Sequence, residues 1–478
     1  MRVSEYFRLG KTQPYLDFVD VRLDTDVAVF VDPSALRGMK SVWGHECASL
    51  VKNYFELVLE RMKDGKDAEA QALLSCLNER NEFHLGYSAG ESRGHAFGSK
   101  SAESVWGALS KSQASVSGLL KDLEDTCLLI EGIGRDMISD AVCNILRGPL
   151  IKYTQDMCQY YGIPLTPDVN SGPIWNAQSG RWESSLVPLP MTSQGKVILV
   201  PKVLVRHRLS YQYDEYYTHY LLPEMQDAEI RRGSSLVGFL RDGTPRVTKK
   251  ALREKYGSDK LAVIEQTLKY PHVLDEYKED RARRTSPPLE HIHLSEIEGS
   301  DLPNWLELKA KLSALPPGRD TATEYENLIE QILTAVFYPS LCKPTKQHEI
   351  HDGRKRVDIT YVNEGRAGFF HWLSLHYSSA LIFVECKNYG REIGNPELDQ
   401  LAGRFSPSRG QVGVLVCRSV ENEAVLQSRC IDTAHDHRGF IVTLTDTDVI
   451  ALIDEVRGGG DRNHEFPTLR AKFTRLIT

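Results

Sequence analysis

Arg356-Val-Asp-Ile-Thr360 and, after a second apolar segment, Leu381-Ile-Phe-Val-Glu-Cys-Lys-Asn388 read as two β-strands whose ends carry Asp358, Glu385 and Lys387. Side chains alternate along a strand, so Glu385 and Lys387 face one way and Cys386 faces the other. A carboxylate and an ammonium at the end of an apolar strand are costly to bury without a further partner. Asp358 is the candidate for that partner.

Working outward, the order of parts is a helix Glu324-Tyr-Glu-Asn-Leu-Ile-Glu-Gln-Ile-Leu333, the strand Val357-Asp-Ile359, the strand Ile382-Phe-Val-Glu-Cys-Lys387, a helix Glu397-Leu-Asp-Gln-Leu-Ala402 and a strand Gly413-Val-Leu-Val-Cys-Arg418. This arrangement resembles the PD-(D/E)XK nuclease superfamily, the fold of restriction endonucleases, over about residues 320 to 455. The segment Phe369 to Tyr377, which lengthens the interval between Asp358 and Glu385, is expected to form a longer hairpin.

The resemblance implies a metal-dependent deoxyribonuclease. Asp358 and Glu385 would be ligands of Mg2+, for which Mn2+ can substitute, joined by the backbone carbonyl of Cys386 and, directly or through water, by Glu326. Glu324 and Glu330 are alternatives on the same helix. Hard oxygen ligands select such a cation. Lys387 would orient water or stabilise developing phosphorane charge, and Gln400 would help position substrate or catalytic groups. Arg354, Lys355, Arg356, Arg391, Arg404 and Arg409, with Lys343, Lys346 and Arg418 nearby, would supply the cationic surface that DNA requires. A solvated charged face is the ordinary alternative. No RNA-recognition module is visible, which favours DNA over RNA.

The rest of the chain bounds this reading. The length of 478 residues, 41% hydrophobic and 26% charged, suits two to four globular domains. A net charge of −7 means that binding a polyanion needs a local basic surface. Nine cysteines without C-x-x-C spacing, and a start without a long apolar stretch, lead us to expect a reducing cytoplasm. Val197 to Val205 is the longest apolar run, too short and too interrupted to span a membrane.

We expect an α/β (α+β) protein. Residues 1–290 would form a larger, mainly helical regulatory, recognition or assembly region with some strands and a break near 162–192. Residues 291–317 would be a linker and lead-in helix, and 318–478 a mixed sheet flanked by helices. Tyr15 to Pro33 reads as two β-rich segments, with Asp17, Asp20 and Asp32 capping strands and turns. Trp43 to Asn81 reads as a long amphipathic helical region. Gly94 to Ser101 falls one residue short of a phosphate-binding loop, because Ser99 stands where its last glycine should be; a flexible or partner-binding loop is the better reading. His348 with His351, and His435 with His437, lack the cysteines or the H-E-x-x-H helix of a zinc site. Cys386 lies opposite the proposed site face, which weighs against a cysteine nucleophile there.

By resemblance, a nuclease domain fused to a larger N-terminal region looks like bacterial restriction and anti-phage defence enzymes, working on DNA and possessing a defence-system partner protein. A homo-oligomer would supply two sites for two strands. The alternatives are a noncatalytic DNA-binding or assembly protein held by an Asp358–Lys387–Glu385 ion-pair network, and a recombination or transposition nuclease.

Overall fold

A computed structural model describes residues 1–77, 81–86, 107–110, 112–284, 287–350, 355–389, 393–458 and 464–478, with backbone alone for 113, 116, 347–350 and 355–357. The fold is mixed α/β, with helices predominating and one five-stranded sheet in the C-terminal part. Gly94 to Ser101 lies outside the described residues.

The C-terminal part begins with helix α1 (Ala322–Phe337). Tyr325, Leu328, Ile329, Ile332, Leu333 and Val336 are all buried, the three-and-four spacing of a helix laid on a core. Five strands follow: β1 (Leu341–Ile350), β2 (Lys355–Asn363), β3 (Leu381–Lys387), β4 (Val412–Cys417) and β5 (Phe440–Thr445). They lie side by side in chain order, β1–β2–β3 antiparallel and β3–β4–β5 parallel. β4 is buried at every position, as a strand covered on both faces should be. The parallel connections run through α3 (Asn395–Ala402) and α4 (Glu423–His435), and the chain ends in α5 (Asp446–Arg457) and α6 (Pro467–Ile477).

The segment expected to form a hairpin is instead a helix, α2 (Gly368–His376). Phe369, Phe370 and Leu373 fall on one helical face and are buried, and β2 pairs directly with β3. Gly368 opens this helix at φ +65°, where a Cβ would sit 2.0 Å from the His464 carbonyl oxygen. The approach of two backbones therefore excludes any side chain at that position.

In the N-terminal part, Gly65 at φ +68° divides the expected long helix into Val42–Lys63 and Asp67–Leu74. Tyr15 to Pro33 is largely irregular. Its only regular strand is Phe30–Val31, paired with Val205–Arg206. Leu16, Phe18, Val19 and Val21 are all buried, neighbouring positions included, so this stretch does not alternate as a half-buried strand would. Its carboxylates serve turns and caps: Asp32 accepts from Ser34 N at 2.9 Å at the start of helix Pro33–Arg37, and Asp20 accepts from Ser4 N at 2.9 Å.

The apolar interior forms two clusters. One runs from Val3 to Leu294 and takes in Tyr338 and Cys342; the other runs from Leu308 to Leu476 and takes in Tyr15. Each part thus lends side chains to the other's core. Within 162–192, short strands such as Thr166–Asn170 and Leu186–Leu189 leave the first cluster unbroken. In the stretch expected as a linker, Leu294 packs into the first core and Leu308 and Leu312 into the second. Among the described residues no helix is long and apolar enough to cross a membrane, and all nine cysteines are free thiols.

Candidate active site

The β2–β3 ladder ends at Ile359 opposite Val384, one step before Asp358 and Glu385. There the strands part. The Cys386 N–H, which a longer ladder would bond to the β2 backbone, donates instead to Asp358 Oδ2 at 2.8 Å. Asp358 is thereby anchored to the strand that carries Glu385, with both carboxylates on one face of the sheet. Cys386 turns the other way, against the core.

Glu385 is 1% exposed. Lys387 Nζ donates to its Oε1 at 2.8 Å, and the Arg404 Nη1 group donates to its Oε2. Arg404 was expected on a DNA-facing surface; it is 3% exposed and belongs to the interior of the cluster. Arg404 follows α3, which the β3–β4 crossover lays beside the sheet, and the basic residue just past that helix is thus delivered to Glu385.

Charges explain the protonation behaviour. Burial, then the neighbouring Glu385 carboxylate, pushes Asp358 up to about 6, against the bond from Cys386 N–H. Glu326, half-buried on α1, is also raised by burial and then by Asp358. Burial alone would lower Lys387, but Glu385 outweighs it and holds the ammonium protonated. The end of β3 is tied to the start of α1, because Asn388 Nδ2 donates to Gly318 O at 2.9 Å and to Thr321 Oγ1 at 2.8 Å. That tie brings Glu326 within electrostatic reach of Asp358. The strand-terminal asparagine beside E-x-K is the signal that could have revealed it.

Other expected residues take different places. Gln400 is exposed on α3, with no hydrogen bond to the cluster among the described residues. Arg409 lies in the turn whose carbonyl accepts from Leu381 N at 2.9 Å, at the opposite end of β3 from Glu385. Arg418 braces the fold, pairing with Asp446 at 3.1 Å beside Tyr325. Lys343 sits over the Trp43 ring at 4.5 Å, between the two parts of the chain. Glu330 is 1% exposed and pairs with Lys11 at 2.7 Å, whereas Glu324 is exposed. Arg354, Arg391 and His351, and the side chains of Lys355, Arg356 and His348, lie outside the described residues. His435 and His437 are exposed.

The donor set at the parted strands is hard oxygen, which suits Mg2+ chemistry. Two close carboxylates, one already driven toward protonation by the other, are what a divalent cation relieves. Among the described residues no three His, Cys, Asp or Glu side chains are gathered as a metal-holding group. The oxygens that could meet a cation here are those of Asp358 and Glu385 and the Cys386 carbonyl, with Glu326 as an outer carboxylate.

The raised Asp358 gives a pH-dependent cost. Its folded value lies above the unfolded one, so the unfolded carboxyl ionises first as pH rises. Stability falls from about pH 4 to about pH 6 and the loss persists above. Asp358→Asn should stabilise the protein at pH 7.5 by on the order of 2 kcal/mol and give no gain at pH 4. Thermal melts at the two values check this; an equal shift at both would contradict it.

A family model described as Domain of unknown function (DUF8370) matches residues 8–212, which lie outside this cluster. No curated protein and no solved structure matches the chain.

Proposed function

We propose that the C-terminal part is a PD-(D/E)XK-type nuclease that hydrolyses phosphodiester bonds in DNA with Mg2+, in bacterial restriction or anti-phage defence, under the control of the N-terminal part. The observation that carries this reading is the meeting of Asp358 and Glu385 on one face of the parted β2 and β3 ends, with Lys387 two residues beyond. Mg2+ would be held by Asp358, Glu385 and the Cys386 carbonyl oxygen, with Glu326 behind them. When bound, it supplies Lewis-acid polarisation of phosphate and acidification of water. Lys387 stays charged in its buried setting and offers that charge to a phosphoryl oxygen as negative charge develops there. A homo-oligomer would set two such sites against the two strands of a duplex.

A second reading is favoured by one observation: both Glu385 oxygens are already engaged by cations. On that reading the cluster is an ion-pair network in a domain that binds DNA without cutting it. Plasmid incubated with the full chain separates the two. Cleavage is expected with Mg2+ or Mn2+ and not with Ca2+, whose looser coordination serves phosphoryl chemistry poorly, and EDTA should abolish it. Undiminished cutting in EDTA, or none with any cation, would reject the metal-dependent nuclease.

A further inference from the structure

Arg404 is held in an unusual way. Its backbone N–H bonds to Leu401 O at 3.0 Å, and the next residue, Phe405, packs against Phe383 with ring centroids 5.7 Å apart. The Cα is therefore fixed, and motion is left to the side chain. The guanidinium commits Nη1 to Glu385, while its buried Nε has no hydrogen-bond partner among the described residues. A guanidinium is a planar fork that pairs best with two oxygens of one anion, carboxylate or phosphate. Here half of the fork is idle, in a place where an unpaired buried donor is costly.

The charge balance is uneven as well. One carboxylate, Glu385, serves both Lys387 and Arg404. A divalent cation approaching Glu385 meets two positive side chains already on its oxygens. It gains a full ligand once one of them leaves. Lys387 sits on the same strand face, two residues away, with its ammonium 6.0 Å from the centroid of the Tyr389 ring. Arg404 reaches in from a turn and has an unused donor for another anion.

Resting on the nuclease reading, we infer that Arg404 is a latch that exchanges between two anions. In the resting protein it closes on Glu385; when nucleic acid binds, it passes to a backbone phosphate and releases a Glu385 oxygen to the cation. Metal and nucleic acid then bind with positive linkage, each tightening the other by the same factor. The cation site is complete only when a phosphate is present, so the latch also restrains cleavage without bound substrate.

The test is calorimetric titration of Ca2+, chosen because it should bind without supporting cleavage, into the full-length wild type, Arg404→Gln and Asp358→Asn. Wild-type titrations are run with and without a short DNA duplex. Arg404→Gln should bind Ca2+ about tenfold more tightly than wild type without DNA, as expected when a charge-assisted hydrogen bond stops competing. Asp358→Asn should lose the binding. The duplex should tighten Ca2+ binding to wild type by a similar factor and leave Arg404→Gln unaffected.

Wild-type binding that Asp358→Asn abolishes and Arg404→Gln leaves unchanged or weakens would overturn the latch and spare the nuclease reading. Absence of Ca2+ binding to every variant, with and without duplex, would overturn both. If Arg404→Gln fails to fold, the duplex arm on wild type decides: tightening supports the latch, and its absence refutes it. Arg404→Lys, which keeps the charge and loses the fork, should bind Ca2+ as wild type does and lose the linkage; retained linkage would show that the fork is not the latch.

Discussion

Glu385→Ala is expected to abolish cleavage and to lower the stability of the folded protein at the same time. Among the described residues, Glu385 is the one carboxylate bonded to both Lys387 and Arg404, whose side chains are 12% and 4% exposed. Removing it leaves two positive groups in a poorly solvated place. Breaking a buried pair from one side costs roughly 3–5 kcal/mol, because the surviving charge loses its partner without regaining water. The loss of activity should reach roughly a thousandfold or more, beyond the about 10–100-fold that follows loss of an outer partner of a metal site. Glu385→Gln separates the two effects. It keeps the volume and one acceptor for Lys387 or Arg404, so it should recover part of the stability and none of the cutting. The measurements are plasmid cleavage with Mg2+ at a temperature where each variant is folded, and thermal melts of the same preparations. Wild-type cutting by Glu385→Ala would sink the site assignment. Lost cutting in both variants, with Glu385→Gln melting like wild type, would support the catalytic role apart from the structural one.

What could be read in the sequence, and what could not, follows from the range of the interactions. Glu385 and Lys387 were legible because a strand period of two needs only neighbouring residues, and β3 carries them as expected. Phe369 to Tyr377 was misread because so many of its positions are apolar that the stretch fits a strand and a helix equally; the choice was made by packing, with Phe370 against Phe337 at 5.1 Å and Phe369 against Phe473 at 6.0 Å. Tyr15 to Pro33 was misread for a related reason. Its β-branched and aromatic residues suit a strand, but its contacts come from far along the chain, such as Val19 N with Val200 O at 3.0 Å. Arg404 looked like any basic residue after a helix. Its place beside Glu385 follows from the crossover that returns α3 against the sheet, which local sequence does not encode.

The isolated residues 300–478 are expected not to fold as they do in the whole chain. Residues 1–290 were expected to form a regulatory, recognition or assembly region, and polar contacts join that part to the C-terminal part at several points. Glu330, on the same helix as Glu326, accepts from Lys11 Nζ and from Tyr160 OH, each at 2.7 Å. Asp17 accepts from Lys343 N at 2.9 Å and from Tyr153 OH at 2.7 Å. Lys40 N donates to Glu364 at 2.7 Å, and Arg366 Nη2 donates to Ala35 O at 2.6 Å. Tyr338 donates to Leu289 O at 2.8 Å and lies under Lys202 Nζ at 4.1 Å from its ring centroid. Cutting at residue 300 strips partners from Glu330 and Glu364 and uncovers Tyr338 and Cys342. Each such loss costs about 1–3 kcal/mol, and together they rival the roughly 5–15 kcal/mol that holds a typical domain. The start of α1 is tied to Asn388, and its later turn is tied to the N-terminal part through Glu330. Loosening that second tie therefore frees the later turn of the helix that carries Glu326. Circular dichroism and thermal melts of the fragment should show a loss of cooperative unfolding or a melting point far below that of the whole chain. A fragment that melts as sharply and as high as residues 1–478, and cleaves at the same rate, would show that the N-terminal part neither supports nor controls the site.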